Sequence, residues 1–359
     1  MKVYLGAESI ISPSGNAEEC FDKIKDGIAG VKNYAGRGFN KESFCLSSFE
    51  HHNFSFTQLL KNVILQSVKC FDEKVITSDK TLLIISSTKG DLSKGYAQAL
   101  TAPATAIQKD LQLKHFPLII SNACASGVMA INAAAHLLQK KKYEHIIVAG
   151  IDLISDFILY GFQSLYALSN EASKPFDKDR KGINLGEGAA AIVVSTQSSA
   201  FKNECYRWLG GCTAGDANHI SGPSRTGEGL YRSVIATLKE SGLTNSDIDF
   251  VSAHGTATLF NDEMEAIAMN RLNMQHIPLN SFKGFFGHTL GAAGIIETAM
   301  CIQSMKKNVL LRSVGYVECG TSVPLHIIEK NTPEKINTVL KTASGFGGCN
   351  ASLIIQKNS

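Results

Sequence analysis

Three residues of this sequence are of a type and in a setting to do chemistry. Cys124 lies in Ile120-Ser121-Asn122-Ala123-Cys124-Ala125-Ser126-Gly127, between an apolar run and an Ala-rich stretch. A thiol at the start of a helix feels the positive end of the helix dipole, which favours the nucleophilic thiolate. Ala123, Ala125 and Gly127 leave room for an acyl group to reach the sulfur. The plainer reading stands beside it, that Cys124 is one of nine cysteines behaving as small buried hydrophobes. His254 closes a predicted strand in Val251-Ser252-Ala253-His254-Gly255-Thr256-Ala257-Thr258. His288 follows Lys283-Gly284-Phe285-Phe286-Gly287 and precedes Thr289-Leu290-Gly291-Ala292-Ala293-Gly294. A lone loop histidine is ordinarily structural or solvated. Two imidazoles opposite a cysteine suit thioester chemistry, the sulfur taking an acyl group while ring N–H groups stabilise charge on a carbonyl oxygen.

The elements that must position these residues follow from short β-branched runs alternating with helical stretches, the pattern of an α/β protein. Strands are predicted at Thr81–Ser86, Leu118–Ser121, His145–Val148, Ala190–Val194, Phe250–Ala253 and Ser352–Ile355. Helices are predicted at Ser126–Lys140 and Gly291–Lys306. The charged stretch Lys174–Lys181 reads as a surface loop, and Ser195–Asn203 as a seam. An internal repeat is visible. Phe116-Pro117-Leu118 leads to Cys124 and Gly127, then a helix reaching Gln139 and Lys140–Lys142. Ile277-Pro278-Leu279 leads to His288 and Gly291, then a helix reaching Gln303 and Lys306-Lys307. In both copies the Gln lies twelve residues after the Gly. Such a repeat predicts two related halves, 1–200 and 201–359, whose helix starts meet and place Cys124 and His288 in one site.

Composition bounds the function. The chain has 359 residues, 44% of them hydrophobic, enough for a sizeable core without disulfides or metal. A net charge of +3 is too balanced for a dedicated nucleic-acid binder. The longest uncharged run, Phe116 to Gln139, is broken by Pro117, Ser121, Asn122, Ser126 and Asn132, so it reads as strand, turn and helix rather than a membrane span. No secretory signal is expected, because Val3 to Leu5 is short and followed by Glu8. With no CxxC pair among its cysteines, the chain fits reduced thiols in a cytoplasm.

Five motifs in order resemble a β-ketoacyl–acyl-carrier-protein synthase of the elongating, Cys-His-His type, within the thiolase superfamily. They are Ser121–Gly127; Lys174–Arg180 with Gly186–Ala189; Ala253–Thr258 with Asn261, Asp262 and Glu265; Lys283 with His288 and Gly291–Gly294; and Gly345–Asn350 with Ala351–Ile355. The resemblance implies an α/β thiolase fold, two pseudo-duplicated βαβ-rich halves forming a layered αβαβα core. It implies decarboxylative Claisen condensation of an acyl group held on Cys124 with a malonyl thioester. Both substrates ride on the 4'-phosphopantetheine of an acyl carrier protein, and no metal or bound cofactor is expected. His254 and His288 would stabilise the enolate, with Lys283 supporting the pair and Glu265 as its charge partner. Backbone N–H groups of Cys124 and Phe346 would form the oxyanion hole. Thr256 and Thr258 match positions that hold the phosphopantetheine arm, and Phe286, Gly345 and Gly347 join the substrate-binding set. Phe346 is either core packing or a gate over the nucleophile. Asp262 is either support for the site or a helix cap. His219, in the turn Asp216–His219, is expected to be structural. A homodimer is implied, with a heterodimer beside a chain-length-factor-like partner as the alternative.

The sequence departs from the family pattern at several places. Leu259 follows Thr258 where Pro is usual; Phe282, Phe285 and Phe286 crowd the second His motif; Thr342-Ala343-Ser344 replaces Asn-Ser-Phe; and Tyr166 stands where a basic carrier-docking residue is often found. The chain is also short before Cys124 by comparison with the family. These departures bear on acyl-chain length, carrier docking and dimer geometry. Cys349 invites a thiolase reading, but its Gly347-Gly348-Cys349-Asn350 setting and Lys283 match the synthase instead. Nothing in the sequence separates fatty-acid elongation from polyketide or polyene synthesis.

Overall fold

The computed structural model describes residues 1–49, 54–216 and 218–358. Ten strands form its main sheet: β1 (Val3–Ile11), β2 (Thr81–Ser86), β3 (Leu118–Ile120), β4 (His145–Asp152), β5 (Gly188–Ser195), β6 (Cys205–Gly215), β7 (Phe250–Ser252), β8 (Leu279–Asn280), β9 (Thr338–Gly345) and β10 (Cys349–Lys357). Their order is β3-β2-β4-β5-β1-β6-β10-β9-β7-β8. Each half repeats one plan. β2 runs parallel to β3 and β4, then β5 and β1 add antiparallel. Likewise β7 runs parallel to β8 and β9, then β10 and β6 add antiparallel. β1 and β6 pair antiparallel where the halves meet. The duplication read from two short motifs therefore extends to every strand of the sheet, and β5 ends at Ser195 before β6 opens at Cys205.

Alternation along the strands builds the layers, because successive side chains point to opposite faces. Leu83, Ile85, Ile147 and Ala149 face an outer layer holding α1 (Phe56–Lys69) and α2 (Thr101–Asp110). Their neighbours Leu82, Ile84, Ile146 and Val148 face a central layer made by α3 (Ser126–Gln139) and α7 (Ala293–Lys307). On the other half, Val251, Leu340 and Ile354 pack on α5 (Glu228–Ser241) and α6 (Leu259–Arg271). The helix α4 (Asp156–Ser164) lies near the site described below. The result is the expected αβαβα thiolase fold. α7 is buried on every face from Ala293 to Met305, as a helix must be when the two halves of the sheet cover both its sides.

The central helices meet at their N-terminal turns. A Cβ on Gly294 would lie 2.5 Å from the backbone nitrogen of Val128, and one on Gly127 2.9 Å from that of Ile295. Glycine is needed at this crossing because backbone touches backbone. The crossing is what carries the loop before α3 to the loop before α7.

The stretch Lys174–Lys181 is not simply a surface loop. Lys178 and Lys181 are exposed and paired with Glu318 and Glu171, but Phe176, Asp177 and Arg180 are buried. The Phe176 N–H donates to Asp262 at 2.7 Å, which ties the loop beneath the second half. The reason lies in tertiary packing, since the run is as charged in sequence as any solvated loop.

Candidate active site

Cys124 sits in a tight turn between β3 and α3. Ala123 adopts φ 44°, a left-handed conformation unusual for a residue with a Cβ. Ser126 holds the turn by accepting from the Asn122 N–H at 2.7 Å and donating to the Ala123 carbonyl at 2.6 Å. Gly345, at the end of β9, packs over it, and a Cβ there would lie 3.1 Å from the Cys124 nitrogen. The backbone N–H of Phe346 lies near enough to the Cys124 thiol to favour its ionised form. Against the expectation of a thiolate, burial pushes the Cys124 thiol up to about 11, and the opposing pull of Lys283 and the Phe346 N–H does not reverse it. Cys124 is 7% exposed and lies two residues before the helix, so desolvation outweighs the dipole.

The sulfur of Cys124 and ring nitrogens of His254 and His288 lie within 4.8 Å of one another, all three residues buried. The two rings meet edge to face, with centroids 5.3 Å apart. The Leu290 N–H donates to His288 Nδ1 at 3.3 Å, which leaves the proton of a neutral ring on Nε2. That Nε2 is buried and has no hydrogen-bond partner among the described residues, as is Nδ1 of His254. Burial, followed by the charge of Lys283, lowers both rings well below the ordinary histidine range. They therefore rest neutral. A ring N–H directed into the cluster suits an anionic oxygen better than a cation.

The ion-pair partner of Lys283 is Glu297, where Glu265 was expected. Lys283 Nζ is 2.6 Å from Glu297 Oε1 and donates to the His254 carbonyl at 2.7 Å. Glu265 instead accepts from the backbone N–H groups of His254 at 2.8 Å and Gly255 at 2.6 Å. It shapes the turn that presents the imidazole. Burial and the neighbouring Asp262 push Glu265 up to about 7. Asp262 accepts from the Thr256 N–H at 2.9 Å as well as from Phe176, so it ties two loops and caps neither end of α6. Glu297 and a second buried lysine, Lys341, escaped the sequence reading. Glu297 lies in an uninterrupted helix and Lys341 in a strand, and nothing local marks either as buried.

A cavity of about 410 Å³ opens onto the cluster. Thr256, Thr258, Gly345 and Phe346 line it with Cys124, His254 and His288. The hydroxyls of Thr256 and Thr258 bond each other at 2.8 Å. Phe346 stacks obliquely on Phe162 of α4, with ring centroids 5.5 Å apart, and is 36% exposed, so it is a wall of the cavity and not core. Two substrate-binding expectations lie elsewhere. Phe286 is buried against Phe285 in the central layer, because the short helical turn Lys283–Phe286 points it inward. Gly347, at φ 82°, lies outside the lining and donates its N–H to Ile220. Tyr166, Ile220, Leu259 and Phe260 form an exposed apolar rim. His219 is also at the rim, exposed, its Nδ1 accepting from the Ser221 N–H. Ala217 of that turn lies outside the described residues. Cys349 turns its sulfur to Met129, 3.7 Å away, and does not line the cavity.

Two family models match the chain, the beta-ketoacyl synthase N-terminal domain over residues 80–200 and the C-terminal domain over 209–317. The chain is 34% identical over 256 residues to 3-oxoacyl-[acyl-carrier-protein] synthase 2 of Rhizobium meliloti, covering 66% of this chain and 60% of that protein. It is 28% identical over 253 residues to the tetracenomycin polyketide synthase ketoacyl synthase alpha subunit of Streptomyces glaucescens, covering 67% and 59%. The match thus spans about 60% of the length of these curated relatives. In fold it is similar to a beta-ketoacyl synthase from Burkholderia phymatum, with TM-score 0.89, 21% identity and all of both chains covered. It is also similar to a ketosynthase solved with its chain length factor from Xenorhabdus doucetiae, with TM-score 0.87, 21% identity and 99% and 98% covered. With both halves of the family signature in order on a shared fold, this chain belongs to the β-ketoacyl synthase family.

Proposed function

We propose that this protein is a decarboxylating ketosynthase that loads an acyl group on Cys124 and extends it with a malonyl group, both delivered by an acyl carrier protein. The observation that carries this reading is the enclosed set of one thiol and two neutral imidazoles within 4.8 Å. In the first half-reaction the Cys124 sulfur attacks the acyl thioester, and a new carbon–sulfur bond replaces the one to the phosphopantetheine thiol. The Cys124 proton passes to one imidazole, that of His254, and from it to the departing thiol. The backbone N–H groups of Cys124 and Phe346 stabilise the oxygen of the tetrahedral intermediate. In the second half-reaction the malonyl group loses carbon dioxide and its bonding pair becomes an enolate. His254 and His288 hold that oxygen through ring N–H groups, for which neutral rings are required. The enolate then attacks the acyl carbon, the carbon–carbon bond forms, and the Cys124 sulfur leaves and regains a proton.

The threonine pair and the apolar rim are the proposed path of the phosphopantetheine arm and the seat of the carrier. The division at residue 200 is part of the same reading, supported by family models that end at 200 and resume at 209. So is assembly of two ketosynthase-like chains, either two copies or one with a chain-length-factor-like partner. No described helix is long and apolar enough to cross a membrane. The test is mass spectrometry of the protein after incubation with a set of acyl-carrier thioesters. Wild type gains the acyl mass on Cys124 and Cys124→Ala gains none; acylation that persists in Cys124→Ala refutes the nucleophile.

A further inference from the structure

The condensation chemistry above makes no use of Lys341, yet this residue is the second of two ammonium groups enclosed beneath the histidines. It lies on β9 opposite Ser252 of β7, with a side chain that is 0% exposed. Its Nζ donates to the carbonyls of Ser252 at 3.2 Å and Ala253 at 3.0 Å, and lies 2.6 Å from Glu297 Oε2. Lys283 takes the next carbonyl, His254, and the other oxygen of the same carboxylate. Three successive carbonyls leading into His254 are thus held by two lysines, and both oxygens of Glu297 are occupied. Two lysines thus share one buried carboxylate. Neutral donors would satisfy the same carbonyls without the large cost of burying a charge. What the ammonium adds is its field.

The groups around the rings come from every packed element. Lys283 precedes His288, Glu297 is on α7, Lys341 on β9, Glu265 and Asp262 on α6, Asp152 on β4 and the Cys124 thiol ahead of α3. The carboxylates of Glu265, Asp262 and Asp152 are all engaged by backbone N–H groups. We infer that Lys341 is a positioning residue for decarboxylation, fixing Glu297 and the His254 turn and holding a cation beneath both rings. Its charge adds to burial and Lys283 in lowering the two rings, and also lowers Lys283. The catalytic consequence rests on the ketosynthase reading; the electrostatic one does not.

The test replaces Lys341 by Met, and by Gln, which keeps a donor for the carbonyls and guards against failure of the Met variant to fold. Histidine-labelled protein is titrated by NMR, and decarboxylation of a malonyl-carrier thioester is followed against pH beside acyl loading of Cys124. With the cation gone, the rings should titrate about one pH unit higher. Decarboxylation should fall about tenfold, less than for outright loss of an oxyanion donor. Its acid limb should move up with the rings, and acyl loading should change less than the decarboxylation rate. Rings that titrate as in wild type refute the role of the charge. Loading and decarboxylation falling in step, with an unmoved acid limb, reduce Lys341 to a structural tie and overturn the proposal. A wild type that does not decarboxylate the malonyl thioester overturns the ketosynthase reading instead and leaves the ring titrations as the test of Lys341.

Discussion

At Cys124, burial and nearby positive charge pull in opposite directions, and burial prevails. The thiol is held near 11, so at neutral pH it rests protonated and the thiolate is a minor form. Since only the thiolate is nucleophilic, alkylation by iodoacetamide should quicken about tenfold per pH unit through the range where a free thiol near 8.5 has levelled off. Mass spectrometry of Cys124 against pH checks this, and a plateau near the ordinary thiol range would show that the neighbouring groups ionise it. That Cys124, His254 and His288 belong together was legible because each stands in a distinctive local motif, and the structure gathers all three within 4.8 Å. The partner of Lys283 was not. Glu265, at the right distance along the sequence, was a natural choice, but its carboxylate is consumed by the two N–H groups of the turn it follows. Glu297 reaches Lys283 only because α7 passes beneath β7.

At the scale of elements, the site depends on the crossing of α3 and α7. Their first turns touch through Gly127 and Gly294 with no room for a side chain. Gly294→Ala should therefore destabilise the protein by about 1–3 kcal/mol, the range for an overpacked core, although alanine is the better helix former. Thermal unfolding checks the direction; a variant more stable than wild type would mean the crossing can open without cost. The strand and helix centres were legible from β-branched runs and Ala-rich stretches. Their ends shifted by a few residues, β4 extending from the expected Val148 to Asp152. The added residues carry a carboxylate that accepts from the Gly291 N–H at 2.6 Å, a contact between halves that local periodicity does not encode.

Over the whole molecule, one sheet and one central helical layer belong to both halves. Trp208, the single tryptophan, pairs with Val3 across the join of β1 and β6, and its indole N–H donates to Asn132 of α3 at 3.1 Å. Its fluorescence thus reports the contact between halves. In denaturant, the Trp208 and far-UV circular dichroism transitions should coincide, as they do for a single cooperative unit. Two separated transitions would show that the halves are independently stable and that the seam near 200 is a domain boundary in the folding sense.

By itself the sequence determined the fold class, the duplication and which thiol and two imidazoles come together, because hydrophobic period, repeated motif order and residue chemistry are properties of residue type and spacing. Only the tertiary structure decided which charges meet beneath the histidines, that Phe286 turns to the core while Phe346 walls the cavity, and that Cys124 rests as a thiol. Each of these depends on burial and on contacts between residues far apart in sequence, where desolvation and packing, not local pattern, set the outcome.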